Sequence, residues 1–269
     1  MGAAKRFIRR LAAGHAQSVL ISLIAFVMLQ YGWTLRHPFF FDDSHTIVAN
    51  SAIQSPGNLL RLWTASSYHS ASPENWGYRP FTVFMHSLSW LVGGGATWPF
   101  HLVKKLTFAL VCFLIFLIWR TLWRYPGYFP NNPPRIRFKA GKLDFTWLVT
   151  PDSAALVAAF VFAIHPANNQ VVNYISASSS LFAGFWYLFA YSLYLAFRQE
   201  RRLNYLALSC AAYAVSVLSK EEGITLPAVI LLSELLLPSW ELGTAPVGDF
   251  VHASTIFSSQ GKTAPISPK

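Results

Sequence analysis

Of the 269 residues, 54% are hydrophobic, 16% aromatic and only 12% charged, with a mean hydropathy of +0.37. Soluble domains carry roughly 25% charged residues, so this composition excludes an ordinary water-soluble domain and indicates a membrane protein. The net charge of +10 does not indicate nucleic acid, because the basic residues form short clusters between apolar runs, as loops of a polytopic protein do. Cys112 and Cys210 lie inside apolar runs and imply neither a disulfide framework nor a metal site.

The chain opens with Lys5, Arg6, Arg9 and Arg10 and then an apolar stretch without a small-residue cleavage pattern, which reads as an uncleaved first span rather than a signal peptide. That span runs from about Ser18 to Leu35, near the roughly 20 residues a bilayer core requires. A long polar and aromatic loop, 36–99, follows. In it Leu59–Trp63 reads as a short amphipathic helix, 72–80 as irregular, and Phe81–Leu91 as a helix too brief to span that stops at Gly93-Gly94-Gly95. Helices of this kind lie in the interface plane.

The second span covers about His101 to Leu122, with Lys104 and Lys105 expected to snorkel from its outer end. A basic, proline-rich connector (Trp123–Asp144) leads to a short third segment, Ala154–Ile164, ending at His165-Pro166. The fourth span is about Leu181–Phe197, the fifth Leu203–Leu218, and the sixth Ile224–Leu237 is again short and contains Glu234, expected to bond within the bundle. The expected fold is therefore all-α: a polytopic transmembrane bundle of about six spans (1–237), a long first extracytoplasmic loop carrying short interfacial helices, and a polar, disordered tail (238–269). With the N-terminus in the cytoplasm and six alternating spans, only Arg36, Arg61, Arg79, Lys104, Lys105 and Lys220 fall outside, leaving 15 of the 21 Lys and Arg inside. This bias is the one the positive-inside rule expects.

The same assignment gathers Asp42 and Asp43, Tyr78-Arg79-Pro80, His165 and Lys220-Glu221-Glu222 on the outer face. Ionisable groups at membrane depth face one another or a water-filled cavity, so a vestibule lined by acids and bases is expected there. Asp43 has a second reading, as cap of a helix starting at Ser44. An aspartate at such a vestibule can act as general base toward a hydroxyl. Arginine, lysine and histidine can stabilise charge developing on a phosphate leaving group. Inverting glycosyl transfer from a lipid-linked phosphate sugar has this logic.

Five ordered stretches carry a resemblance. They are Phe39-Phe-Phe-Asp42-Asp43-Ser-His-Thr-Ile-Val-Ala-Asn50-Ser-Ala-Ile53, Tyr78-Arg79-Pro80-Phe81-Thr82, Phe100-His101-Leu-Val, Phe162-Ala-Ile-His165-Pro166 through Ile175-Ser176, and Leu218-Ser219-Lys220-Glu221 through Pro227. Over about Phe39 to Leu237 the chain resembles the N-terminal membrane portion of the transmembrane-and-tetratricopeptide (TMTC-like) C-type glycosyltransferases. The resemblance implies a multi-pass enzyme that transfers mannose from polyprenyl or dolichyl phosphate to protein Ser/Thr hydroxyls on the luminal or periplasmic side. It implies no metal or other cofactor, and a membrane that is either the bacterial inner membrane or the endoplasmic reticulum.

It also implies a catalytic aspartate at Asp42 or Asp43. Asp42 is assigned as general base, with Asp43 sharing that role or orienting it. Tyr78, Arg79, His165 and Lys220 are assigned to the lipid phosphate, with Glu221 holding Lys220. The sequence departs from the family at Ser178 and Ser180, where the family has Arg and Asp, at Lys104 for an Asn, and at Phe108 for a His. Family members continue into further spans and a tetratricopeptide array, so the chain reads as a fragment, a frameshifted product or a shortened relative. The rival reading is a non-catalytic, shortened membrane subunit packing in a larger membrane complex.

Overall fold

A computed structural model describes residues 14–124, 134–140 and 143–236. The basic N-terminal residues, part of the connector and the 238–269 tail lie outside the described residues. The helices are α1 (Gly14–Tyr31), α2 (Pro80–Gly93), α3 (Trp98–Trp123), α4 (Pro151–Ile164), α5 (Asn168–Asn173), α6 (Ser178–Glu200), α7 (Leu203–Ser219) and α8 (Leu226–Leu236). Two strands, β1 (Arg135–Ala140) and β2 (Leu143–Leu148), join α3 to α4 as an antiparallel pair with Arg135 opposite Leu148 and Ala140 opposite Leu143. The rest of the described chain is helical, as expected, and this one strand pair is added to it. In Arg-Ile-Arg-Phe-Lys apolar and basic residues alternate, the period of a strand.

Among the described residues three segments are long and apolar enough to cross a bilayer: Ala16–Arg36, Trp98–Trp123 and Ile175–Glu200. The chain is a membrane protein of predominantly helical fold, but the expected count of six such spans exceeds these three. α4 and α7 are apolar yet shorter, and α8 has 11 residues. At 1.5 Å per residue that is about half of a 30 Å hydrocarbon core.

Ionic contacts and hydrogen bonds define the two ends of the bundle. At one end Asp152, at the start of α4, pairs with Arg120 (2.9 Å) and Arg124 (2.8 Å) at the end of α3. Arg198, near the end of α6, pairs with Glu234 of α8 at 2.8 Å, and Tyr194 donates to the same carboxylate. Glu234 thus bonds within the bundle, as its position in the sequence indicates. At the other end the turn after α1 is bonded to α5, the first turn of α3 to the loop that follows α1, and α2 to the last turn of α7. Thr34 donates to Asn173 Oδ1 (2.7 Å), the His101 ring meets the His37 carbonyl oxygen (3.2 Å), and Thr82 donates to the Ser219 carbonyl oxygen (3.0 Å).

α6 and α7 pack closely because α7 offers a column of small buried residues, Ser209, Ala212, Ser216 and Ser219. Ser209 and Ser216 donate to the Ala190 and Ala183 carbonyl oxygens of α6 at 2.8 and 2.9 Å. Thr150 and Ser153 close a capping box at the start of α4. Gly94, in the left-handed conformation at φ 56°, terminates α2 inside the expected glycine run.

The 36–99 segment is a chain of single 3-10 and π turns closed over the ends of the bundle, with α2 its one long helix. Ile47, Ile53, Leu62, Val83, Phe100 and Ile175 form a buried core beneath it. The helix expected at Leu59–Trp63 reduces to a 3-10 turn at Arg61–Trp63. Five residues between a Pro-Gly-Asn turn and a Thr-Ala-Ser-Ser stretch cannot offset the cost of helix nucleation.

Gly223, after α7, lies against Ser216. A Cβ there would sit 2.6 Å from Ser216 Oγ and 2.8 Å from backbone atoms of Ser216 and Val217. Gly223→Ala is expected to destabilise the fold by about 1–3 kcal/mol, read as a lower thermal midpoint of the detergent-solubilised protein. Gly184→Ala, whose Cβ meets nothing within 4 Å, should leave the midpoint unchanged.

Candidate functional site

The two adjacent aspartates behave differently. Asp43 is 1% exposed. Its Oδ2 accepts from the Phe40 N–H at 3.0 Å, and its Oδ1 accepts from the Ser176 N–H at 2.8 Å and from the Ser176 hydroxyl. No side-chain cap bond joins it to the π turn Ser44–Val48, so the helix-cap reading is replaced by a tie between the loop and the start of α6. The Asp42 side chain is 44% exposed. Its backbone N–H donates to the Tyr174 hydroxyl (3.0 Å), and its Oδ1 lies 3.4 Å from His45 Nε2. The other ring nitrogen of His45 is 2.9 Å from the Ser70 hydroxyl.

Immediately before the pair, Phe41 takes a left-handed conformation (φ 51°) with its ring exposed. The preceding aromatics divide in role. Phe39 packs edge-on to Phe100 in the loop core, whereas Phe40 meets the edge of Tyr174.

Two clefts open beside the aspartates. One, of about 280 Å³, is lined by Asp42, His45, His69, His86, Arg79 and Trp76, among others. The second, of about 310 Å³, is lined by Asp43 with His37, Phe40, Asn173 and Tyr174, among others. Asp42 and Arg79, expected to share a pocket, do so. The Arg79 guanidinium makes two bonds to Glu221, at 2.8 and 3.3 Å. This corrects the expected Glu221–Lys220 pair. Lys220 instead donates to Glu222 and to Ser180 Oγ (2.9 Å). Arg79 wins Glu221 because its planar fork matches a carboxylate at two points.

Lys220 and His165 line neither cleft. His165 is exposed at the end of α4, where Nδ1 accepts from the Ala167 N–H at 3.2 Å. Tyr78 donates to the Trp63 carbonyl oxygen at 2.8 Å and also lies outside both linings. Lys104 and Lys105, expected to snorkel, are buried at 1% and 0% exposure. Lys104 donates to the Tyr174 carbonyl oxygen and interacts electrostatically with Asp43.

His45, His69, His86, Tyr174 and Ser176 are site residues that sequence reasoning did not select. The one signal for His86 is a polar residue four positions after Thr82 on an apolar helix, both buried on the same face. Burial, then the charge of Arg79, hold His69 down to about 4. Burial chiefly holds His86 down to about 3, with its Nε2 2.7 Å from Ser178 Oγ. Both rings are therefore neutral near pH 7. Burial, then the hydrogen bond to the Asp42 side chain, push the Tyr174 phenol up to about 12. The Arg79 hydrogen bond holds the Glu221 carboxyl below its ordinary range. Among the described residues no group of three His, Cys, Asp or Glu side chains is placed to hold a metal ion.

No family model matches the chain, and no solved structure does. Curated relatives do. The chain is 29% identical over 222 residues to protein O-mannosyl-transferase Tmtc1 of Drosophila melanogaster, covering 81% of this chain and 22% of that protein. It is 29% identical over 225 residues to Tmtc2 of the same organism, covering 79% and 21%. To human TMTC4 it is 27% identical over 214 residues, covering 74% and 27%. The chain is thus similar to several TMTC proteins over about three quarters of its length or more. It spans about a fifth to a quarter of the length of these relatives.

The two neutral histidines set a pH window. Each binds a proton more weakly in the folded than in the unfolded chain, so the stability it contributes is present above about 6.5, the unfolded value. That contribution declines as the pH falls toward 4. The thermal midpoint should drop between pH 6.5 and 4, and His86→Asn should make the drop shallower than in the wild type.

Proposed function

We propose that the protein transfers a sugar, probe of choice mannose, from a polyprenyl or dolichyl phosphate to a protein hydroxyl on the extracytoplasmic side of its membrane. The observation that carries this reading is the shared cleft of an exposed carboxylate, Asp42, and a guanidinium, Arg79, at one end of an apolar helical bundle. The names of the TMTC relatives as protein O-mannosyl-transferases support the group transferred. The arginines at the opposite end of the bundle, Arg120 and Arg124 at the end of α3 and Arg198, Arg201 and Arg202 between α6 and α7, support the orientation.

In this scheme Asp42 takes the proton of the acceptor hydroxyl. The acceptor oxygen forms its bond to the sugar's anomeric carbon on the face opposite the phosphate. The anomeric C–O bond to the phosphate breaks, and its electron pair leaves with the polyprenyl phosphate. Inversion follows from that geometry. Arg79 meets the charge developing on the departing phosphate, and Glu221 holds the guanidinium in place. Asp43 holds the loop that presents Asp42 rather than sharing the proton. The scheme draws on no metal ion.

Purified protein supplied with polyprenyl phosphate [³H]mannose and a Ser/Thr peptide tests it. Asp42→Asn is expected to lower transfer by about 10²-fold or more, the usual worth of a positioned base. Asp43→Asn should lower both transfer and the thermal midpoint. Wild-type rates in both variants would overturn the catalytic reading.

A further inference from the structure

Trp76 is 50% exposed and lines the cleft that holds Asp42 and Arg79. Its ring is fixed where Nε1 donates to the Ser70 carbonyl oxygen at 3.1 Å. A tryptophan that only anchors a loop at the membrane surface stands at the headgroup level among apolar neighbours. This one stands among Asp42, His45, His69 and Arg79. In the same lining, His69 carries a buried Nδ1 without a hydrogen-bond partner. A buried polar atom in that state is costly unless a ligand or water satisfies it.

Gly77 keeps the space between these groups open. A Cβ there would lie 3.6 Å from His69 Cδ2 and 3.9 Å from Arg79 Nε, ordinary contacts that narrow the cleft without forcing it. The neutral His69 ring has one donor and one acceptor nitrogen, which suits a hydroxyl, itself donor and acceptor, better than a phosphate. An indole face carries a negative quadrupole that attracts polarised C–H groups. Pyranose rings present such a C–H face on one side and hydroxyls around the rim.

Resting on the sugar-transfer reading of this cleft, we infer that Trp76 and His69 form a monosaccharide subsite: the indole carries the C–H face of the lipid-linked hexose, and His69 hydrogen-bonds one of its hydroxyls. Arg79 then faces the phosphate on the same ligand. Recognition divides accordingly, with Trp76 and His69 reading the sugar and Arg79 reading the anion.

The test compares two probes, polyprenyl phosphate mannose and bare polyprenyl phosphate, binding to the full chain in lipid nanodiscs. Wild-type protein should hold the mannosylated lipid about tenfold more tightly, the scale of one aromatic contact and one hydrogen bond. Trp76→Ala and His69→Ala should each remove most of that preference while leaving the affinity for the bare lipid unchanged. Gly77→Ala should weaken only the mannosylated lipid. Variants that keep the preference, or that lose both lipids alike at a wild-type thermal midpoint, overturn the subsite. Should Trp76→Ala lower the midpoint, Gly77→Ala decides by the same two criteria. A wild-type protein that binds the two lipids equally refutes the sugar-transfer reading itself.

Discussion

The buried Asp43 carboxylate is the interaction on which the site depends. Ser176 at the start of the α6 span and the Phe40 N–H of the first loop donate to it, and Lys104 of the α3 span interacts with it electrostatically. Hydrogen bonds to a charged acceptor contribute roughly 1.5–3 kcal/mol each, and a buried carboxylate deprived of them is severely destabilising. Segments 64 or more residues apart in sequence are thereby fixed to one point. The exposed neighbour, Asp42, inherits its position from that point, because its own backbone N–H is held by Tyr174 two residues before Ser176.

Charge is distributed unequally around this centre. Full charges stand at the rim of the cleft, where Arg79 meets Glu221, while His69 and His86 of its lining are neutral. The far end of the bundle shows the opposite pattern. There Asp152 and Glu234 each close an ion pair with arginines of the neighbouring helix ends. One end is tied shut by paired charge, and the other leaves an exposed carboxylate facing open space.

Apolar length and period made the helices legible: α1, α3, α6 and α7 lie where the hydrophobic runs place them, and Gly93-Gly94-Gly95 ends α2 as expected. The β1–β2 pair was missed because its alternation is short and set in a basic, proline-containing connector. Within the site, Asp42 with Arg79 was legible because both fall beside apolar segments on the same face. The Arg79–Glu221 pair was not, since adjacency in sequence favours Lys220 and only the fold reveals which cation approaches with the better geometry. The burial of Lys104 was hidden for a related reason. A lysine near a helix end looks solvated until the Tyr174 carbonyl oxygen, 70 positions later, is folded onto it.

Phe41 holds a backbone conformation that costs a side-chain-bearing residue about 1–2 kcal/mol, yet its ring lies in the open and gains little from packing. The hydrogen bonds on either side, Asp43 N–H to the Phe40 carbonyl oxygen and Ser44 N–H to the Phe41 carbonyl oxygen, keep it there. The tight reversal is therefore fixed by the chain's own backbone hydrogen bonds. An exposed aromatic ring is thereby presented outward beside the aspartates by the chain itself, with no further bending of the backbone required to bring it there.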